Sequence, residues 1–169
     1  MLGGVRTVRL RPLTDQDDAA VLALNEVNVV QLAPLDVDRL HQLRAWADRA
    51  DAVDVDGEFA GFVITFHAGT PYDSENYRWF TEQYGREFYY LDRIAIDQRV
   101  RRGGVGTAVY DHLEAIAVKH RRMALEVNLL PPNPTSLSFH NGRGYTEVGK
   151  LGDADHLVTL MVKELAPAH

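Results

Sequence analysis

The amino-acid sequence predicts an α/β fold in which helices accompany a mixed β-sheet. Its predicted elements follow the order β-α-α-β-β-β-α-β-α-β-β, which is not a series of repeated βαβ units. The central part of the chain reads as a strand, a glycine-rich loop and a helix. With 169 residues, 46% of them hydrophobic, the chain suits one globular domain spanning residues 1–169.

The N-terminal part is predicted to contain one strand and two helices. Residues 7–11 alternate between polar and apolar side chains, and Pro12 ends that strand. Thr14 is predicted to cap a first helix with acidic residues in its first turn. The apolar stripe of this helix is Ala20, Val21, Leu24 and Val27. Asp36 is predicted to cap a second helix, with Leu40, Leu43 and Ala47 facing inward.

A hairpin and a long insert follow. Residues 52–56 and 59–66 are predicted to pair around Asp56-Gly57, and Gly61 indicates a bulge or a close backbone approach. Residues 69–87 are predicted to form an insert or lid near a substrate site, with a helix from Glu75 to Tyr84 capped by Ser74. Two interpretations of its aromatic residues stay open: packing onto the sheet, or one wall of a substrate pocket. In the second, aromatic faces and nearby acids would favour a cationic amine; the acids are Asp73, Glu75 and Glu82.

The C-terminal half holds the central unit and the closing strands. Its strand begins at Tyr89, and its helix begins near Gly104, where apolar residues recur at spacings of three and four. The later elements are a strand over 123–130, a helix over 135–141, and two antiparallel strands over 145–150 and 157–165.

The loop between the central strand and helix combines positive charge with glycine. Arginine offers bidentate geometry to phosphate, glycine allows close backbone approach, and a helix N-terminus offers free N–H groups. These properties together predict a diphosphate site, with a solvated turn as the alternative. The residues concerned are Arg99, Arg101, Arg102, Gly103, Gly104 and Gly106.

A dinucleotide site is a rival interpretation of this loop. Glu126 lies twenty residues after Gly106, about where an acidic ribose ligand is expected. Against this, residues 97–102 separate the strand from the glycines, and the third glycine position is occupied by Val109. A P-loop is excluded because no Gly-Lys-Ser/Thr ending is present.

The segment Arg101-Arg102-Gly103-Gly104-Val105-Gly106 resembles the Arg/Gln-x-x-Gly-x-Gly/Ala motif of the GNAT superfamily of acyl-CoA-dependent N-acetyltransferases. The preceding residues 94–97 resemble the central strand of that family. The segment from Asn133 through Ser136, Phe139 and His140 to Gly144-Tyr145 is similar to a second family motif. The resemblance implies the GNAT fold, a mostly antiparallel central sheet flanked by helices.

The resemblance further implies acetyl-CoA as the acetyl donor, with coenzyme A as product, and an amine acceptor. The pantetheine arm would pair with the central strand, and the diphosphate would lie on the glycine-rich loop and the Thr107 hydroxyl. The implied cofactor-binding residues are Ile94, Ala95, Ile96, Arg101, Arg102, Gly103, Gly104, Val105, Gly106, Thr107, Asn133 and Phe139. A backbone N–H near Ile94 would stabilise the oxyanion of the reaction.

The amine must attack as the neutral base, which for a lysine-like amine is only about 0.1% of the population near neutral pH. A general base is therefore expected, and Glu126 is the first candidate by similarity of position, with Asp92 in reserve. Glu126 would otherwise face solvent or pair with an arginine, and Asp92 would otherwise pair with Arg93 or Arg99. His140 stands where the family often has a tyrosine acid, so it is a candidate acid or a structural residue.

Composition limits the remaining function classes. The formal net charge of −6 argues against nucleic acid as a main partner. The chain has no cysteine, its histidines show no ligand spacing, and no metal is expected. The chain shows no long apolar run and no signal-peptide core, so no membrane association and a cytoplasmic location are expected. A homodimer is expected from the family alone. Two alternatives stay open: a coenzyme A-binding module without catalysis, and a dinucleotide-binding fragment.

Overall fold

The computed structural model describes residues 6–101 and 103–165, which contain seven strands and five α-helices. The strands are β1 Val8–Pro12, β2 Arg49–Val55, β3 Glu58–His67, β4 Tyr89–Ile96, β5 Arg122–Leu130, β6 Thr146–Gly152 and β7 Leu157–Glu164. The helices are α1 Asp18–Val27, α2 Val37–Trp46, α3 Glu75–Tyr84, α4 Val105–Ala117 and α5 Pro134–Gly142. The predicted order is confirmed once α3, the helix predicted within the insert, is placed between β3 and β4.

The strands form one open sheet in the order β1-β2-β3-β4-β5-β7-β6. β4 and β5 pair in parallel, whereas β1 with β2, β5 with β7, and β6 with β7 pair antiparallel. This arrangement confirms the predicted mixed α/β class. No helix in the described part of the chain is long and apolar enough to cross a membrane.

The chain divides into two compact units. Of the described residues, the first contains 6–64 and those between Arg93 and Ala115, and the second contains Thr65–Asp92 and 116–165. Fully buried side chains of the first unit include Val21, Leu40, Leu43, Phe62 and Leu113. Those of the second include Phe66, Phe80, Phe88, Tyr90 and Met123. The expectation of a single domain stays a prediction.

The β2–β3 hairpin forms as predicted. Asp56 and Gly57 both have positive φ, at 52° and 85°, as a two-residue hairpin turn requires. Gly61 is the site of a close backbone approach, because a Cβ atom there would lie 2.5 Å from the Ala95 carbonyl oxygen. The first unit therefore depends on this glycine to bring β3 against β4.

The apolar stripe predicted for α1 is wrong at its end. Val27 is 77% exposed, and the buried residue near this end is Asn25. The Asn25 carboxamide is satisfied because it donates to the Ala33 carbonyl at 3.0 Å and accepts from the Arg93 guanidinium at 3.2 Å. Arg93 is itself 7% exposed and also donates to the Ala33 carbonyl. A buried polar network thus holds the segment after α1.

The insert folds as one capped helix whose aromatic face is buried. The Ser74 hydroxyl accepts the backbone N–H of Tyr77 at 3.2 Å, which caps α3 as predicted. Tyr77 and Phe80 are buried, and the Trp79 ring occupies the space that a Cβ on Gly149 would need. The aromatic residues of α3 therefore pack into the second unit.

Candidate active site

A buried phenol holds the carboxylate of Glu126 in the second unit. Tyr90 on β4 pairs in parallel with Ala124 on β5, and Glu126 lies two residues further on the same face of β5. The Tyr90 hydroxyl donates to both carboxylate oxygens, at 2.8 and 2.7 Å. The phenol therefore orients the Glu126 carboxylate.

The surroundings of Tyr90 keep its phenol protonated. Its side chain is fully buried, with the rings of Tyr77 and Phe80 at centroid distances of 5.6 and 5.8 Å. Burial raises the pKa of Tyr90 well above its ordinary value, and the carboxylates of Glu126 and Asp92 raise that pKa further. Tyr90 is thus a hydrogen-bond donor throughout the physiological pH range.

Replacing Tyr90 with phenylalanine is expected to change how the free energy of unfolding depends on pH in the alkaline range. The pKa of Tyr90 is raised in the folded chain, so the protonated phenol stabilises the fold. This stabilisation is fully present below the ordinary tyrosine pKa of 10.0. That contribution is lost as the pH rises from this value toward the folded-state pKa. Urea unfolding between about pH 8 and 11 should show a shallower decline for Tyr90→Phe than for the unaltered chain. Identical slopes would contradict this account of the phenol.

A second phenol holds Asp92. The Tyr72 hydroxyl donates to Asp92 Oδ1 at 2.5 Å, and the Tyr72 ring stacks on Phe66 at a centroid distance of 4.2 Å. Tyr72 lies in the insert just before α3, so the insert contributes a polar group as well as packed rings. Both candidate bases of the second unit are therefore oriented by tyrosine hydroxyls.

His140 lies in the last turns of α5 and is 5% exposed. Its Nδ1 is 2.7 Å from the Ser136 carbonyl oxygen, which can only accept, so Nδ1 carries the proton. The neutral ring therefore has no proton on Nε2. Donation of a proton from Nε2 requires the doubly protonated ring, which limits His140 as an acid.

The other predicted residues of α5 lie at its start and on its exposed side. Asn133 caps the helix, and its Oδ1 accepts the backbone N–H of Ser136 at 3.3 Å. This cap uses the carboxamide oxygen and leaves the NH₂ group without a partner among the described residues. Phe139 is partly exposed, and its ring lies edge-on to His140 at 5.2 Å.

The glycine-rich loop of the first unit has room for a ligand against its backbone. Cβ atoms built on Gly104 and Gly106 would meet no atom within 4 Å, and Gly104 has a φ of 77°. Val105 is fully buried at the start of α4, so its side chain is not available to a ligand. Thr107 is exposed in the first turn of that helix. The open cradle fits a diphosphate, because the first-turn N–H groups of a helix lack intrahelical partners.

The arginines of this loop have different surroundings. Arg101 donates to the Ile96 carbonyl at 2.9 Å and to the Asn28 carboxamide at 2.8 Å. Arg99 pairs with Asp97 at 3.1 Å. Arg102, predicted to bind the cofactor, lies outside the described residues. On β4, Ala95 is buried, whereas Ile94 and Ile96 are partly exposed.

Four residues with site contacts are not among those that the sequence patterns indicate: Tyr72, Tyr90, Asn28 and Arg6. Tyr90 carried a usable signal, since it lies two residues before Asp92 and therefore shares its strand face. Arg6 lies against the loop, where a Cβ on Gly103 would be 2.7 Å from its guanidinium. Neither Arg6 nor Asn28 belongs to a local pattern that points to the loop.

One cluster elsewhere has ligand atoms close enough for a metal ion. Asp15, Asp18 and His41 place one ligand atom each within 4.8 Å of one another. Arg44 lies 2.9 Å from Asp15 and 3.7 Å from Asp18, so a guanidinium already pairs with both acids. The expectation that no metal is used stays a prediction.

The sequence model of the acetyltransferase (GNAT) family matches residues 20–145. No curated protein sequence matches the chain.

Solved structures with the same fold cover almost the whole chain. Ard1 from Thermoplasma volcanium has a TM-score of 0.74 at 17% identity, covering 95% of this chain and 99% of its own. The ribosomal-protein-S18-alanine N-acetyltransferase from Escherichia coli has a TM-score of 0.68 at 17% identity, covering 96% and 97%. N-acetylglutamate synthase from Neisseria gonorrhoeae, solved with coenzyme A and N-acetyl-glutamate, has a TM-score of 0.68 at 13% identity, covering 95% and 36%. With the sequence match over more than half of its length, the chain belongs to the GNAT acetyltransferase family.

Proposed function

We propose that this chain transfers an acetyl group from acetyl-CoA to a primary amine of a small molecule or peptide. Membership of the family implies acyl transfer from acetyl-CoA. The observation that carries the proposal is the Glu126 carboxylate, held at both oxygens by the protonated Tyr90 phenol. A fixed carboxylate of this kind suits the removal of a proton from an amine.

The cofactor-binding part of the proposal uses the glycine-rich loop, β4 and Asn133. The N–H groups at the start of α4 bind the diphosphate, and the open faces of Gly104 and Gly106 let it approach the backbone. The Thr107 hydroxyl donates to the same group. The partly exposed strand residues Ile94 and Ile96 present their backbone to the pantetheine arm, and the Asn133 NH₂ group donates to it.

Glu126 acts as the general base, directly or through water. A lysine-like amine has a pKa of about 10.4, whereas an α-amino group has a pKa of about 7.7–8.0 and is far more often neutral near pH 7. The base therefore contributes most with alkylamine acceptors. Asp92, oriented by Tyr72, is the reserve base and otherwise attracts the cationic acceptor.

Bound acetyl-CoA supplies the acetyl group as an activated thioester. The amine nitrogen forms a bond to the carbonyl carbon, the carbon–sulfur bond breaks, and one amine proton passes to Glu126. The backbone N–H of Ile94 stabilises negative charge on the acetyl oxygen.

With cysteine as the reference, the thiol of coenzyme A has a pKa near 8.5. The departing thiolate takes its proton from water or from doubly protonated His140. Because Nδ1–H of His140 is held by the Ser136 carbonyl, the neutral ring cannot donate from Nε2. We therefore expect His140 to contribute less to catalysis than Glu126.

The acceptor class is tested with a panel of primary amines and detection of free thiol. The expected result is thiol release from acetyl-CoA that depends on the amine and saturates with it, with cationic alkylamines and α-amino groups compared at equal concentration. A reaction without amine is the control for simple hydrolysis. Tight binding of acetyl-CoA with no amine-dependent release would instead indicate a coenzyme A-binding module without catalysis.

A further inference from the structure

We propose that Arg6 binds the 3′-phosphate of coenzyme A and so makes the chain selective for the 3′-phosphorylated cofactor. The inference rests on the proposed function, because it assumes that the glycine-rich loop binds coenzyme A. It adds a residue from outside that loop, in the segment just before β1.

Arg6 is placed against the loop by a specific contact. Its Nη1 donates to the Val100 carbonyl at 3.2 Å. A Cβ atom on Gly103 would lie 2.7 Å from the Arg6 guanidinium, so only glycine at this position lets the side chain lie there. Arg6 is therefore held over the loop by packing and by one hydrogen bond, which uses one of its five N–H donors.

The neighbourhood of Arg6 is a positively charged cleft. A cleft of about 510 Å³ is lined by Arg6, Gln98, Arg99 and Arg101. Of its three arginines, Arg99 is neutralised by Asp97. Among the described residues, Arg6 and Arg101 donate hydrogen bonds only to carbonyl and carboxamide oxygens. Two guanidiniums that form no salt bridge thus line one cleft, and Asp97 interacts with Arg101 only at longer range.

The positive charge of the cleft lined by Arg6 and Arg101 exceeds what binding of the diphosphate requires. The N–H groups at the start of α4 already provide an anion site for the diphosphate. The second anionic group of coenzyme A is its 3′-phosphate, a phosphomonoester that carries close to two negative charges near neutral pH. Arginine binds such a group through paired, charge-assisted hydrogen bonds. The Arg6 cleft therefore fits the 3′-phosphate better than it fits an uncharged part of the cofactor.

The test is calorimetric titration with acetyl-CoA and with 3′-dephospho-acetyl-CoA. The unaltered chain is expected to bind acetyl-CoA about 10- to 100-fold more tightly than the dephospho form, as a charged hydrogen-bonded contact suggests. In Arg6→Gln this preference should fall to within about threefold, with little change in affinity for the dephospho form. Arg9→Gln, which removes an exposed arginine of β1 and the same charge, should keep the full preference.

The titrations distinguish a failure of the 3′-phosphate assignment from a failure of the proposed function. Equal affinity of the unaltered chain for both cofactors, or equal weakening of both by Arg6→Gln, would overturn the 3′-phosphate assignment and leave the proposed function standing. Failure of the folded chain to bind either cofactor would overturn the proposed function itself.

Discussion

Replacing Glu126 with glutamine is expected to lower kcat/KM for the best amine by about 100-fold or more, which is the usual contribution of a general base. Glutamine keeps the size of the side chain but cannot take up a proton. The loss should therefore appear in kcat, while calorimetry gives an unchanged Kd for acetyl-CoA. Thiol release at saturating acetyl-CoA measures the first quantity.

The pH dependence of kcat/KM in Glu126→Gln tests whether Glu126 is the general base. Without a general base, kcat/KM should rise about tenfold per pH unit up to the pKa of the acceptor amine, since only the neutral amine reacts. Asp92→Asn is the matched control, because it alters the other tyrosine-held carboxylate of the second unit and is expected to lower kcat/KM by less than about tenfold. A large loss of kcat/KM in Asp92→Asn, together with normal activity in Glu126→Gln, would show that Asp92 and not Glu126 is the general base.

Replacing Gly106 with valine is expected to weaken acetyl-CoA binding by about 100-fold or more. A valine side chain would fill the space over the loop in which we propose that the diphosphate lies, and excluding the diphosphate removes several charge-assisted hydrogen bonds. The fold should tolerate the change within about 1 kcal/mol, because a Cβ there meets no atom within 4 Å and valine is no worse than glycine in a helix. Calorimetry and thermal unfolding measure the two effects.

Gly142→Val is the matched control for Gly106→Val. Gly142 also lies in a helix, at the end of α5, and a Cβ there likewise meets no atom within 4 Å. This variant should bind acetyl-CoA with normal affinity. Normal affinity in Gly106→Val as well would remove the glycine-rich loop from the proposed binding site.

Local signals in the sequence were sufficient for much of the fold. The hairpin at Asp56-Gly57, the Ser74 cap of α3 and the cap of α2 at Asp36 each follow from residues within one turn of the element. The first motif of the family could be recognised for the same reason, since its arginines and glycines are contiguous. Such features depend on short stretches of chain and can be predicted without the tertiary structure.

The contacts that the sequence did not reveal join residues far apart in the chain. The Tyr90–Glu126 hydrogen bonds depend on the register between β4 and β5, which no local pattern specifies. The placement of Arg6 over Gly103 depends on where β1 begins relative to a loop almost a hundred residues later. Asn25 is buried because Arg93 and the Ala33 carbonyl satisfy it, so the helical stripe of α1 was misleading at this end.

We propose that the glycine-rich loop binds acetyl-CoA, and calorimetric titration of the purified chain is the experiment that tests this binding. Acetyl-CoA and NAD would be titrated in parallel, together with the double variant Arg101→Ala/Arg102→Ala. We expect tight binding of acetyl-CoA, at least about tenfold weaker binding in the double variant, and no binding of NAD. A folded chain that binds NAD and neither acetyl-CoA nor free coenzyme A would contradict the account.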